Sequence, residues 1–362
     1  VIFCITGGQA AAEETTRYGY DALGRVTTVS HNGERGSVST SSYTYDPASN
    51  RTRMVTSRVT PNQDFDGDGN GDILWRNVNG TTTTWQINGS AVAQNVFHDS
   101  TVNTGWTLVG SLDFNGDGKS DLLWRNQAGA FTIWQGLDGK NFAKNVYENS
   151  SVGTEWKIAA LGDFNGDGLD DIIWRRDTGE LSEWQSTGRG YTENTYYDTT
   201  MAPGWKVAGA GDINGDGKKD LIWRNSSGEF RIWQSAGARF SLVYTDTSVS
   251  SYWALAGVGD YNGDGMADLA WRGTAGELRI WTRDGAGFVA NAFGGSDNVP
   301  MSWAVVQTLD LNGDHKDDLI WREASTGNLA TWQSTGSGFD RNIIYTTVSL
   351  DWSIASFVYE GH

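Results

Sequence analysis

The feature that most constrains this chain is a segment that returns six times at near-constant spacing. Asp113-Phe-Asn-Gly-Asp-Gly-Lys-Ser-Asp-Leu-Leu-Trp-Arg125 recurs with small changes, and the copies begin at Asp64, Asp113, Asp163, Asp212, Asp260 and Asp310. The steps between them are 49, 50, 49, 48 and 50 residues. A motif that stays fixed while its spacing drifts by one residue places the length variation in loops, and makes the repeat the unit that folds. The 18 tryptophans keep the same spacing. The first of each repeat is Trp75, Trp124, Trp174, Trp223, Trp271 or Trp321; the second is Trp85, Trp134, Trp184, Trp233, Trp281 or Trp332. The third is Trp106, Trp156, Trp205, Trp253, Trp303 or Trp352. Three per repeat uses every tryptophan in the chain.

Within a repeat the pieces read as short strands. Trp205-Lys-Val-Ala-Gly-Ala-Gly211 and Asp220-Leu-Ile-Trp-Arg224 flank the acidic segment, followed by Glu229-Phe-Arg-Ile-Trp-Gln234 and Phe240-Ser-Leu-Val-Tyr244. Runs of β-branched and aromatic residues broken by Gly, Asn and Ser are strand and turn signals, and no stretch sustains a helical period. Four strands repeated six times predict an all-β fold, a six-bladed β-propeller of four-stranded antiparallel blades. The third tryptophan opens the strand that enters the next acidic loop, but the last copy, Asp351-Trp-Ser-Ile-Ala-Ser-Phe357, enters none. The first loop lacks a tryptophan seven residues before Asp64. The C-terminal strand is therefore expected to complete the first blade.

The formal charge of −17 argues against a phosphate-backbone partner and against docking on anionic lipid. It suits divalent cations. The opening Val1-Ile-Phe-Cys-Ile-Thr6 followed by Gly7-Gly-Gln-Ala-Ala-Ala12 reads as the tail of a secretory signal peptide, so residues 1–12 are assigned to such a remnant. Cleavage after Ala12 would remove the single cysteine, leaving no disulfide to brace the fold. Secretion or a periplasmic or cell-surface location of bacterial type is expected, with no membrane insertion and no nucleic-acid partner.

The acidic motif is D-x-[DN]-G-D-G-x-x-D. Side-chain oxygens at positions 1, 3 and 5 of a tight Gly-bearing loop converge, a backbone carbonyl at position 7 joins them, and a carboxylate at position 9 completes the shell. Hard oxygen donors in irregular geometry favour Ca²⁺ over Mg²⁺ or Zn²⁺. The expected ligands are Asp64, Asp66, Asp68, Asn70 and Asp72 in the first loop and Asp113, Asn115, Asp117, Lys119 and Asp121 in the second. The third and fourth use Asp163, Asn165, Asp167, Leu169 and Asp171, then Asp212, Asn214, Asp216, Lys218 and Asp220. The last two use Asp260, Asn262, Asp264, Met266 and Asp268, then Asp310, Asn312, Asp314, Lys316 and Asp318. Asn70, Lys119, Leu169, Lys218, Met266 and Lys316 contribute only their carbonyls. His315 stands where the other loops have the position-6 glycine, a residue type that tolerates positive φ. Up to six Ca²⁺, one per repeat, would offset 12 of the 17 net negative charges.

These loops resemble the FG-GAP or VCBS repeats of integrin α-chain propellers and of many secreted bacterial proteins. The resemblance covers residues 64–357. It implies a β-propeller carrying Ca²⁺ between the first and second strands of a blade, and no single activity, since members include adhesins, lectins, toxin-complex components and domains attached to polysaccharide-degrading enzymes. Residues 13–57 form a separate segment. There Tyr18-Gly-Tyr-Asp21 with Gly24-Arg25, and Tyr43-Thr-Tyr-Asp46 with Asn50-Arg51, are similar to YD (RHS) repeats. Two copies cannot enclose a cargo, so this segment is expected to be a short β-rich appendage to the propeller of residues 58–362.

The second tryptophans, Trp85, Trp134, Trp184, Trp233, Trp281 and Trp332, are mostly followed by Gln and are the candidate ligand-binding residues, as stacking platforms for sugar rings. The competing reading is that all the tryptophans fill wedges between blades. Each first tryptophan is followed by an arginine (Arg76, Arg125, Arg175, Arg224, Arg272, Arg322), expected to stack on a neighbouring aromatic or to pair with a loop carboxylate. The four histidines occupy unrelated contexts, and no nucleophile elbow, zincin or phosphate-loop motif occurs, so catalysis is not expected. The expected function is a secreted, calcium-binding module for glycans or for cell-surface or matrix proteins. The alternatives are a polysaccharide lyase or hydrolase on a propeller scaffold, and a non-catalytic scaffold or toxin-complex component.

Overall fold

In the computed structural model, strands 15–20, 26–32, 38–45 and 51–59 are described in the N-terminal stretch, together with residues 23 and 25. From residue 63 to residue 359 all are described except 99–101, 151, 199–200, 284–286 and 294–297. Residues 1–14, on which the leader reading rests, lie outside the described residues. So do Asp21, Gly24, Asp46 and Asn50 of the two YD-like segments.

The described residues are all-β. Strands Thr15–Tyr20, Val26–Asn32, Val38–Tyr45 and Arg51–Val59 form one antiparallel meander. Six further four-stranded sheets are the blades of a propeller. Blade 3 is typical: Trp156–Gly162, Asp171–Arg176, Leu181–Ser186 and Tyr191–Asp198 run outward from the axis in chain order. In blade 4 the strands Trp205–Gly211, Asp220–Asn225, Phe230–Ser235 and Phe240–Asp246 fall within two residues of the expected ones.

Blade 1 is assembled from both ends of the ring. Its outer three strands are Ile73–Asn77, Thr82–Ile87 and Val92–Phe97, and its innermost is the C-terminal Trp352–Ile354, pairing Trp352 with Asn77 and Ile354 with Trp75. The ring therefore closes from blade 6 directly to blade 1, as the missing tryptophan before Asp64 implied. The chain then continues across the axis. The Ala355 N–H donates to the Leu74 carbonyl (2.8 Å), the Ser356 hydroxyl to the Val306 carbonyl (3.3 Å), and Phe357 and Tyr359 pack against the cores of blades 2–3 and 3–4. Residues 355–359 thus run among the inner strands of several blades, with Val358 left largely exposed.

The innermost strands crowd together, which explains their small residues. A Cβ on Gly209 would lie 2.6 Å from Val258 of the next blade, and one on Gly211 would lie 2.7 Å from Ala267. Five of the inner strands also carry a bulge, such as that between Ile158 and Ala160, which adds local twist as each strand approaches its loop.

Two closed circles of contacts join the blades. The first is aromatic and cationic. The arginine after each first tryptophan stacks over the first tryptophan of the following blade: Arg76 on Trp124, Arg125 on Trp174, Arg175 on Trp223, Arg224 on Trp271, Arg272 on Trp321 and Arg322 on Trp75. The guanidinium-to-ring distances are 4.6–5.4 Å, where such contacts contribute about 0.5–2 kcal/mol each. Several of these arginines also donate to carbonyls in the connection beyond, as Arg76 does to Trp106 (2.9 Å) and Arg125 to Gly153 (3.2 Å). The expected structural role of the arginines is the one they play, and their partner is the neighbouring aromatic. The second circle joins the acidic loops and is described next.

Candidate functional site

In blades 2 to 6 each acidic loop connects the innermost strand to the second, and in blade 1 it leads into the second strand, Ile73–Asn77. Its repeating Asp, Asn and Gly residues fold it as stacked Asx turns, because short polar side chains cap the amides two to five residues ahead. In blade 3, Asp163 accepts from the amides of Gly166 (2.6 Å) and Gly168 (2.8 Å), Asn165 from Asp167 (2.8 Å), and Asp167 from Leu169 (2.9 Å). Asp171 sits at the root of the loop, fully buried, and accepts from Phe164 (3.1 Å) and from Ser186 on the third strand (2.8 Å). The position-9 aspartate does the same in the other blades, so this carboxylate fastens the loop to the sheet.

The position-8 amide of each loop donates to the position-1 carbonyl of the preceding loop. Ser120 bonds to Asp64, Asp170 to Asp113, Lys219 to Asp163, Ala267 to Asp212, Asp317 to Asp260 and Gly71 to Asp310, all at 2.6–2.8 Å. Six loops are thereby linked head to tail in a ring. The sixth accommodates His315 with φ at 66°, and its amide donates to Asp310 (2.8 Å) as the glycine amide does in the other loops.

In the first loop one carboxylate oxygen from each of Asp64, Asp66 and Asp72 lies within 4.8 Å of the others, a cluster able to hold a cation. The position-5 aspartates are turned differently. Asp167 accepts from the Asn165 amide group (3.0 Å), and Asp216 and Asp314 pair with Lys218 (3.0 Å) and Lys316 (2.8 Å) of their own loops. The structure thus gathers positions 1, 3 and 9 in the first loop and directs position 5 toward local partners in several others.

The electrostatics of the gathered groups suit a divalent cation. Burial pushes Asp72 and Asp171 up to about 9, Asp121 and Asp318 up to about 8, and Asp64, Asp113, Asp220 and Asp268 up to about 7, with neighbouring aspartates adding to the shift. Buried carboxylates held by amide donors favour a positive charge among them. Hard, oxygen-only donors with no sulfur or imidazole in the shell match Ca²⁺. The residues present therefore fit the ion that the loop pattern implies.

The second tryptophans occupy a different environment from the exposed platforms expected of them. Each lies against the first tryptophan of its own blade, with ring centres 4.9–5.5 Å apart, in the seam facing the preceding blade. Trp184, Trp233 and Trp332 are buried; Trp85, Trp134 and Trp281 are half-buried. The glutamines that follow are committed elsewhere. Gln86, Gln185 and Gln333 donate to Gly139, Gly237 and Gly89, in the outer hairpin turns of the next blade. These side chains bind blade to blade. The alternation of the strand sends Gln and Trp to opposite seams, and the repeat spacing alone does not reveal which seam each enters.

Where the seams open outward, two clefts appear at corresponding places in blades 3 and 1. The cleft in blade 3, of about 300 Å³, is walled by Trp156, Trp174 and Trp184, with Ser182, Asn194, Glu155, Arg176 and Glu193 around it. The smaller one, of about 130 Å³, lies among Trp352, Trp75, Trp85, Phe97, Thr83 and Asn95. The asparagine comes from a left-handed residue in the outer strand (Asn194, φ 55°), a conformation asparagine adopts readily. Its side-chain oxygen accepts from the Ser182 hydroxyl at 2.7 Å. Sequence reading singled out the second tryptophans but missed Asn194 and Ser182; the recurring Asn in the fourth strand was the available signal.

With fold and loops in view, the class is that of a six-bladed β-propeller with a repeated acidic loop. FG-GAP-like repeats match residues 113–174, 163–223, 212–271 and 260–321, more than half of the chain, which therefore belongs to the FG-GAP-like repeat family. No curated protein matches it. Solved structures similar to it include the periplasmic gluconolactonase PpgL of Pseudomonas aeruginosa (12% identity, 96% of this chain and 95% of that one, TM-score 0.46). The β-propeller domain of Myceliophteria thermophila Cps50 (Swd1) matches at 13% identity over 92% of this chain and 99% of that one, with a TM-score of 0.43. A putative 6-phosphogluconolactonase from Bacteroides fragilis matches at 11% identity over 99% and 95%, with a TM-score of 0.39. At these identities and scores the likenesses carry nothing about activity.

Proposed function

We propose that this chain is an extracellular binding module, braced by calcium in its six loops, that recognises carbohydrate on a cell surface or in a matrix. The observation that carries the carbohydrate reading is the pair of clefts in blades 3 and 1, where the half-buried rings of Trp156, and of Trp85 and Trp352, stand beside a hydroxyl and a side-chain amide. Flat aromatic surface covers the C–H faces of a sugar, and a few convergent polar groups fix its hydroxyls. Residues 355–359 run among the inner strands near the axis, which directs attention to the seams.

Calcium has a structural task in this reading. Asp64, Asp66 and Asp72, and their counterparts in the other loops, would hold the ion. Bound there, it supplies the positive charge that lets buried carboxylates ionise. The ring of loop-to-loop hydrogen bonds then fixes the ends of the inner strands. Calcium and an acidic chain both suit a secreted or periplasmic setting.

The reading is tested by a glycan array probed with the purified chain in calcium. Reproducible binding to a defined group of glycans, lost on chelation, is the expected result. No binding in calcium would remove carbohydrate recognition.

A further inference from the structure

Five of the six acidic loops close a β-hairpin, and the first does not. In blades 2 to 6 the ladder between the innermost and second strands runs to the root of the loop. It pairs Leu112 with Asp121, Gly162 with Asp171, Gly211 with Asp220, Gly259 with Asp268 and Leu309 with Asp318. In blade 1 the innermost strand arrives from the other end of the chain. It is three residues long, Trp352–Ile354, and its last pair is Ile354 with Trp75. After one further bond, from the Ala355 N–H to the Leu74 carbonyl, the chain runs on toward Val306 of blade 6. The Asp72 N–H donates instead to the carbonyl of Gln63, on the chain entering the loop (2.8 Å). The first loop thus lacks the support of a continuous hairpin at the place where the ring must close.

The same loop has the most acidic ligand set. Positions 1, 3, 5 and 9 are Asp64, Asp66, Asp68 and Asp72, whereas position 3 is Asn115, Asn165, Asn214, Asn262 or Asn312 in the other five. The affinity of an oxygen cage for Ca²⁺ is set in large part by how many of its ligands are charged. An asparagine at position 3 also satisfies its neighbour: the side-chain amides of Asn115, Asn165 and Asn262 donate to Asp117 (3.1 Å), Asp167 (3.0 Å) and Asp264 (3.0 Å). A carboxylate cannot make that bond, and Asp66 and Asp68 repel each other instead. A cation relieves that repulsion. Asp170 and Asp317 bring further charge at position 8, but their carboxylates accept from the Asp113 (2.7 Å) and Asp260 (2.8 Å) amides of the preceding loops.

The groups of this loop that could hold an ion are also tied to the parts that meet at the closure. The Asp64 carbonyl accepts from Ser120 of the second loop (2.7 Å), and Gly71 donates to Asp310 of the sixth (2.6 Å). Asp72 accepts from Phe65 within the loop and from Ile87 on the third strand of blade 1 (3.0 Å each). Asp66 seats the outer turn of blade 2, where a Cβ on Gly139 would lie 2.5 Å from that of Asp66. We propose that calcium at the first loop is the latch of the ring: it is the tightest of the six sites, fills first, and holds the closing strand Trp352–Ile354 on blade 1. This rests on the calcium reading above and adds an order of filling and a task. Drawing Asp64, Asp66 and Asp72 together fixes the start of Ile73–Asn77, the strand on which the closing strand is laid. The ion's charge thereby replaces the hairpin that the other blades possess.

The test is calorimetric titration of the chelator-stripped chain with Ca²⁺, with hydrogen exchange followed by mass spectrometry at each stoichiometry. The first ion is expected to protect residues 63–77 and 352–357 before the other loops gain protection. Asp66→Asn, which gives the first loop the residue found in the other five, should weaken the first ion by about tenfold or more and delay protection of residues 352–357. Asn115→Asp should add a second strong ion. Combined with Asp66→Asn it should not restore early protection of the closing strand, which separates the latch from a gain of charge anywhere on the ring. The order of protection in the unaltered chain tests the latch even if Asp66→Asn folds poorly. Six ions of equal affinity, an unchanged first ion in Asp66→Asn, or closing-strand protection that follows only the last ions would overturn the latch while leaving calcium binding standing. No ion bound at all would remove the calcium reading as well.

Discussion

Two regions of this propeller are built on opposite principles. At the loop end of the blades, six copies of one acidic motif make the same Asx turns, bury the same position-9 aspartate and join in one ring of hydrogen bonds. Across from the first tryptophans, by contrast, the same strand position carries Ser, Thr, Ala or Arg. A feature needed to hold the ring together must recur in every blade, because one weak seam opens the circle. A recognition site is needed in only some blades, so its residues are free to diverge. The repeated part of such a chain therefore describes its architecture, and the departures from the repeat describe its use.

The largest expected effect breaks the loop end everywhere at once. Chelation by EGTA should lower the melting temperature on the order of 10 °C or more, since an ion that binds only the folded state stabilises it at every occupied loop. Restoring Ca²⁺ should reverse the shift in a thermal melt. At a single loop, Asp171→Ala strands the amides of Phe164 and Ser186 in a buried setting and should cost about 2–4 kcal/mol in urea unfolding. Asp177→Ala, which removes an exposed partner of Lys157, should leave the same unfolding curve in place.

A departure from the repeat supplies the next test. Glu183 stands in the seam between blades 3 and 4, where other blades place Ile133, Ile232 or Ile280, and its Oε2 finds no donor. Burial raises it from 4.5 to about 7, with Asp163 adding to the shift. The folded chain then keeps a proton that the unfolded chain releases above about 4.5. The stability this protects is present at low pH and lost as pH rises through about 7. In saturating Ca²⁺, Glu183→Gln should flatten that decline and gain about 2–3 kcal/mol relative to the parent at pH 8, with little difference at pH 4. The smallest effect concerns the arginine circle. Arg224→Lys keeps the charge over Trp271 but loses the planar fork that reaches the carbonyls of Ser250 and Trp253, and should cost about 1 kcal/mol.

Much of the architecture was legible in the residues themselves. Strand boundaries in blade 4, the closing strand at Trp352 and the stacking of Arg76 and its counterparts followed from period, strand propensity and the geometry of a closed ring. The role of Trp184 was less so. Its spacing located it in a strand but could not say which seam it entered, and the adjacent Gln185 points into the other one, toward Gly237. The cleft itself depends on Ser182, Asn194 and Trp156, brought together from three strands by cross-strand register. A search for what the repeats share passes over such residues, because the information lies in where they differ.

The central claim is that six acidic loops bind calcium and hold the ring closed. Its most direct test is equilibrium binding of Ca²⁺ to the chelator-stripped chain, read together with the melting temperature at each point of the titration. The account predicts several ions per chain, approaching one per loop, and a melting temperature that climbs as they bind. Absence of binding, or binding that leaves the melt unmoved, would contradict it.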